Sequence, residues 1–181
     1  MEGVSMPDVA AILGSDSDLP KVKGCFALLE QFGVSFEIII SSAHRTPDAT
    51  KEWARSARSR GIKVIIAIAG GAAHLPGVVA AYTTLPVIGV PIETGIAGGL
   101  DSILSILQMP SGIPVATMPA GKSGGSNAAL LAVSILSLAD SRYAEKLQEY
   151  RENMSRKIQD TNARLSQMGH TAYISMLESK K

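Results

Sequence analysis

Five short apolar runs rich in valine and isoleucine dominate the first two thirds of the chain: Val9 to Leu13, Phe36 to Ile40, Val64 to Ala69, Val87 to Val90 and Ile113 to Met118. Each is separated from the next by a stretch long enough for an amphipathic helix. The runs are too short for helices and do not alternate polar with apolar. A strand with one wet face would alternate, so these read as strands buried on both faces. Strands of that kind require helices above and below them, and the intervening segments supply those helices.

The expected fold is therefore α/β, a doubly wound, flavodoxin-like three-layer sandwich with a parallel five-stranded sheet. The helix boundaries are readable. Asp18 precedes Leu19-Pro20 and Thr46 precedes Pro47, each pairing a capping side chain with a proline in the first turn. Gly33 and Gly61 are the expected C-terminal stops.

After Lys122 the pattern turns helical, first over Asn127 to Leu138 and then in a long polar helix from about Arg142 to Leu165. Tyr143, Leu147, Tyr150, Met154 and Ile158 recur on that helix at heptad-like spacing. Such a stripe on a helix beyond the last strand calls for something to pack on, and a homo-oligomer supplies it. The 181 residues read as a single domain, with a core over about 7–139 and a C-terminal helical extension over about 140–181. The tail after Gly169 reads either as a short helix or as a disordered end.

Charge and composition exclude several classes of function. Lysine plus arginine (17) nearly balances aspartate plus glutamate (16), so no bulk attraction to a nucleic acid polymer or to a membrane surface follows. Aromatic residues are 4% of the chain, too few for stacked single-strand platforms. The one cysteine, Cys25, has no disulfide partner, which fits a reducing cytoplasm. Met1 to Pro7 lacks the basic start and apolar run of a signal peptide, and no segment reads as a membrane span. No cluster of cysteine, histidine and carboxylate has metal-ligand spacing.

In an open parallel sheet, ligands bind beyond the carboxyl ends of the strands. Three unusual loops stand there. The first strand ends in Gly14-Ser15-Asp16-Ser17-Asp18. Its glycine permits a tight turn, while Ser15, Ser17 and the helix-start amides suit a phosphate or sugar, with Asp18 accepting from ribose hydroxyls. An ordinary capped βα turn has the same composition. The second strand ends in Ser41-Ser42-Ala43-His44-Arg45-Thr46-Pro47. Arginine suits phosphate because its planar fork donates two parallel hydrogen bonds, and histidine suits proton transfer because its ordinary pKa is about 6.5. The competing readings are a helix-start histidine bonded to a carbonyl and a surface arginine. The third strand ends in Ala69-Gly70-Gly71-Ala72-Ala73-His74-Leu75-Pro76-Gly77, where small residues let a ligand approach the backbone and His74 is the one functional side chain.

Pro119-Ala120-Gly121-Lys122-Ser123-Gly124-Gly125-Ser126 resembles the tail of a phosphate-binding P-loop, but Ala116 stands where that motif requires glycine. The segment reads instead as a flexible βα loop that closes over a ligand or touches a neighbouring subunit.

Together the three strand-end loops, followed by Leu100-Asp101-Ser102 and by Gln108-Met109-Pro110-Ser111-Gly112-Ile113-Pro114-Val115, closely resemble the class I 5-(carboxyamino)imidazole ribonucleotide mutase family over roughly Val9 to Ala132. The resemblance implies an isomerase of purine (IMP) biosynthesis that moves a carboxylate from nitrogen to ring carbon, giving 4-carboxy-5-aminoimidazole ribonucleotide. It implies no metal, no organic cofactor, an octameric assembly and active sites at subunit contacts. By matching position, Ser15, Ser17, Asp18 and Arg45 fall to nucleotide binding, Ser42 with Gly70, Gly71 and Ala72 to the pocket wall, and His44 to general acid/base catalysis. His74 stands as a second catalytic candidate.

Sibling class II enzymes carboxylate aminoimidazole ribonucleotide directly with carbon dioxide. They carry lysine where this chain has Arg45, and a more polar sequence in place of Gly71-Ala72-Ala73-His74, so both positions favour the mutase. Glu93-Thr94 and the extension beyond about Ser166 depart from the family pattern. The direct carboxylase and a non-catalytic nucleotide-binding module of the same fold are the alternatives.

Overall fold

β1 (Val9–Leu13), β2 (Phe36–Ile40), β3 (Val64–Ala69), β4 (Val87–Pro91) and β5 (Ala116–Thr117) form one sheet in the order β2-β1-β3-β4-β5. All four pairings are parallel, and Val9 to Leu13 lie in register with Phe36 to Ile40 on one side and Val64 to Ile68 on the other. The computed structural model describes residues 6–179; the start of the N-terminal segment read for a leader, and the last two residues of the tail, lie outside them.

Every residue of β1, β3 and β4 is buried, whereas the edge strand β2 leaves Ile38 and Ile40 exposed. Alternate side chains feed two separate cores. Val9, Leu13, Ile66, Ile68, Ile88 and Val90 pack with α1 (Lys23–Phe32) and α5 (Gly121–Leu136) on one face. Ala10, Ile12, Ile65, Ala67 and Val87 pack with α2 (Pro47–Ser56), α3 (Leu75–Tyr82) and α4 (Leu100–Leu107) on the other. The chain thus builds the expected three layers, and the unbroken apolarity of the central strands follows from their having two dry faces.

Several boundaries differ from the sequence reading. Asp18 does not cap a helix; it lies inside a 3-10 helix over Asp16–Val22 whose cap is Ser15, which accepts a bond from the Ser17 N–H. The fifth strand shrinks to Ala116–Thr117; Pro114, inside the expected run, cannot donate to a ladder. Gly33 and Gly61 end their helices with φ of 69° and 87°, as expected of left-handed stops.

The P-loop-like segment is not a flexible loop. From Gly121 onward it is the first turns of α5, and its glycines permit close packing: a side chain at Gly124 would overlap the Pro119 carbonyl, and one at Gly125 would lie 3.0 Å from Val22. A long helix, α6 (Ser141–Met168), follows, capped by Asp140, and the tail is a short helix, α7 (His170–Glu178). α6 holds the body through its first half: Tyr143, Leu147 and Tyr150 pack on the first core, and Lys146 Nζ donates to the Phe32 carbonyl at 2.6 Å. Among the described residues no helix is long and apolar enough to cross a membrane.

Candidate active site

The order β2-β1-β3 places the sheet's switch point between β1 and β3, where successive crossovers leave in opposite directions and open a crevice beyond the carboxyl ends. A cavity of about 460 Å³ occupies it. Its lining includes Gly14, Ser15, Asp18, Ser42, His44, Arg45, Gly70, Gly71 and His74, so the three loops singled out by composition converge on one space.

The second loop is held by a lattice of hydroxyls. Ser41 Oγ bonds Thr46 Oγ1 at 3.0 Å and the fully buried Thr50 Oγ1 at 2.8 Å, while the Ser42 N–H donates to Thr46 Oγ1 at 2.9 Å. Ser42 Oγ then accepts from the backbone N–H groups of His44 (3.3 Å) and Arg45 (3.2 Å). Ser42 is therefore more than pocket wall, since its hydroxyl shapes the turn that presents the imidazole and the guanidinium.

His44 Nε2 lies 2.7 Å from His74 Nδ1, with the rings nearly perpendicular at 83° and 4.9 Å apart. In a direct bond between two imidazoles one ring donates and the other accepts, so the two tautomers are coupled. The reading of His44 as a helix-start histidine bonded to a carbonyl does not hold, because its ring bonds His74 instead.

Arg45 Nη2 donates to the Gly14 carbonyl at 2.8 Å, tying the second loop to the first and leaving other guanidinium N–H groups for a ligand. Asp18 is buried and receives Lys21 Nζ at 3.4 Å. Lys21 is a lining residue that the sequence reading missed; its spacing of three from Asp18 within a helix was the available signal. Ile92, Glu93 and Thr94, after β4, complete the wall. Of the sequence candidates, Ser17 and Ala72 stay off the cavity lining, and the Ser17 hydroxyl bonds Ser15 Oγ at 2.9 Å.

In the third loop Ala73 N–H donates to the Gly70 carbonyl at 3.2 Å, closing a turn in which Gly71 and Ala73 both have positive φ, 65° and 45°. A left-handed alanine is uncommon and holds only where the surroundings fix it. Nothing lies within 4 Å of a side chain built at Gly71, so open space faces the backbone there.

The AIR carboxylase family profile matches residues 8–157. The chain is 52% identical to the N5-carboxyaminoimidazole ribonucleotide mutase of Thermotoga maritima over 173 residues, 96% of this chain and 100% of that protein. The protein of the same name from Pyrococcus abyssi is 55% identical over 174 residues, covering 96% of this chain and 99% of its own length. The phosphoribosylaminoimidazole carboxylase of Saccharomyces cerevisiae is 49% identical over 174 residues, which is 96% of this chain but 30% of that longer protein. In structure, the chain resembles the crystal structure of Treponema denticola PurE with a TM-score of 0.78 at 31% identity, over 87% of this chain and 97% of that one. With its profile matched across most of its length and relatives above half identity end to end, the chain belongs to the AIR carboxylase family.

Proposed function

We propose that this protein is a mutase that converts 5-(carboxyamino)imidazole ribonucleotide to 4-carboxy-5-aminoimidazole ribonucleotide in purine biosynthesis. The observation that carries the proposal is the His44–His74 pair at 2.7 Å, in a cavity also lined by Arg45, Gly70 and Gly71. The mutases of Thermotoga maritima and Pyrococcus abyssi, matched over nearly their whole lengths, support it.

Arg45 and the Ser15-to-Asp18 turn hold the ribose phosphate, the guanidinium by charge and the Asp18 carboxylate by accepting from sugar hydroxyls. The aminoimidazole ring then lies toward His44 and the third loop. The nitrogen–carboxylate bond breaks to release carbon dioxide into the crevice, and His44 delivers a proton to the nitrogen that keeps the bonding pair. The ring carbon, enriched by the free amine, attacks the trapped carbon dioxide. His44 takes back the ring proton, restoring aromaticity and its own starting state. His74 holds the tautomer that lets one imidazole act first as acid and then as base. A positioned acid/base contributes about 10² to 10⁴ in rate, and confinement of carbon dioxide adds an effective-concentration advantage.

Residues 7–139 form the catalytic core in this reading, and 140–181 form an arm that joins protomers into a homo-oligomer, an octamer by family resemblance. The unpaired, buried Cys25 supports a cytoplasmic setting.

The test is turnover of substrate labelled in its carboxylate, in excess unlabelled bicarbonate, with the uncatalysed decarboxylation subtracted. Label retained in the 4-carboxylate supports the mutase. Product carrying only unlabelled carboxylate indicates a direct carboxylase, the activity named for the yeast relative. No product above background leaves a nucleotide-binding module.

A further inference from the structure

Ser102, in the first turn of α4, is fully buried and does not itself line the cavity, yet its hydroxyl joins two of the cavity's walls. It accepts from the Gly71 N–H at 2.9 Å and donates to the Ile92 carbonyl at 2.9 Å. One oxygen thus uses a lone pair on the third loop and its single proton on the end of β4. Gly71 is the residue whose φ of 65° turns the backbone toward the cavity, and the left-handed Ala73 follows two residues later. The neighbouring Gly70 is packed so closely that a side chain there would come within 3.3 Å of Ile92 Cβ.

Asp101 completes the arrangement from the adjacent position. Its Oδ1 accepts from Thr94 Oγ1 at 2.7 Å, and Thr94 Oγ1 in turn accepts from the Ile96 N–H at 3.2 Å. Leu100-Asp101-Ser102 therefore fastens the β4–α4 loop and the third loop to one helical turn.

We infer that Ser102 is a positioning residue for the carboxylate transfer: through the Gly71 N–H it fixes the third-loop backbone against which released carbon dioxide is held beside His44. The inference rests on the mutase reading. The ribose phosphate is anchored by the first two loops, so a loosened third loop disturbs the migrating carboxylate while leaving nucleotide affinity in place. Carbon dioxide that is poorly confined escapes before the ring carbon captures it.

The test applies the labelled-carboxylate experiment to full-length S102A, S102T and S102C beside wild type, with kcat, KM and melting temperature measured for each. S102A is expected to lose about tenfold or more in kcat, with KM within about twofold, because small misplacements of reacting groups cost that much or more. It is also expected to leak label into the bicarbonate pool as free aminoimidazole ribonucleotide accumulates. S102T, which keeps the hydroxyl, should restore retention toward wild type. If S102A does not fold, S102C keeps the volume with a weaker donor and carries the same comparison. Wild-type kcat and retention in S102A overturn the inference, as does a kcat loss that only tracks a lower melting temperature while retention stays unchanged. Wild type that itself retains no label overturns the mutase reading and the inference with it, before any variant is compared.

Discussion

Two residues show how environment decides chemistry in this molecule. His44 is exposed at a strand end, beside a second imidazole, in a loop whose turn is shaped by the Ser42 hydroxyl. His44→Asn keeps the size and polarity of the group but removes the titrating proton. The expected result is loss of turnover by a factor of about 10² to 10⁴, with nucleotide affinity nearly unchanged by calorimetry. Turnover within a few-fold of wild type would reject His44 as the proton carrier. The histidines and Arg45 were legible because strand-end chemistry shows in composition alone. Ser102 stood in the sequence only as part of a family motif with no role, since a serine on an amphipathic helix carries no mark of being buried until the fold brings Gly71 and Ile92 to it.

Cys25 is the opposite case, a nucleophile type made inert. Fully enclosed in the first core, its thiol is pushed up to about 12 by burial, which outweighs the lowering effect of a bond to the Ala129 backbone. Alkylation of the native protein at pH 8 should therefore proceed only as fast as the chain opens, whereas the denatured chain reacts at once. The raised folded value has a second consequence. The neutral thiol favours the fold fully below its ordinary value of 9.0, and that contribution is lost as the pH rises from there toward 12. Rapid labelling of the native protein by a neutral alkylating reagent would contradict the enclosure.

At the scale of elements, the apolar runs match the strands from β1 to β4 almost to the residue; burial on both faces explains this for β1, β3 and β4, while the edge strand β2 keeps the apolar run with Glu37 inside it and two isoleucines exposed. The loss of most of the fifth run and the helical state of Gly121 to Ser126 were not legible, and the second has a clear cause. Glycine and serine mark flexible loops and tight helix contacts equally well, and only the neighbouring element decides between them. Here α1 and the 3-10 helix decide: a side chain at Gly24 would meet Ser126 Oγ at 2.9 Å, and one at Gly125 would meet Val22. Gly124→Ala sets two effects against each other. Alanine gains about 1 kcal/mol of helix propensity, but its methyl overlaps the Pro119 carbonyl, and backbone cannot move aside as a side-chain tip can. Overpacking of this kind costs about 1 to 3 kcal/mol, so the net change should be destabilising, seen as a lower urea midpoint with an unchanged slope. A stabilised G124A would mean that α5 starts later than Gly124.

For the whole molecule the question is what covers its apolar surface. Ile96, Leu100, Leu104 and Leu107 recur at intervals of four, four and three, which sets them along one face of α4 and the loop leading into it, and all four are exposed. A second set, Met154, Ile158, Leu165 and Met168, runs along the outer half of α6, a 28-residue helix with no buried residue. Single exposed leucines are ordinary, but two aligned rows on separate helices are not what an isolated protomer presents to water. The α4 row matters more for function because it begins just beyond Glu93 and Thr94 at the cavity rim, so a copy seated there also narrows the mouth of the cavity. Leu104→Glu places a charge in the middle of that row without touching either core. The proposed assembly predicts a wild-type mass by light scattering at a multiple of the 18.9 kDa protomer, eightfold if the family resemblance holds to that level. Leu104→Glu should lower that mass and reduce turnover together while each protomer keeps its secondary structure by circular dichroism. A wild-type mass equal to one protomer would remove the assembly, and an unchanged mass in Leu104→Glu would move the contact from α4 to the α6 arm.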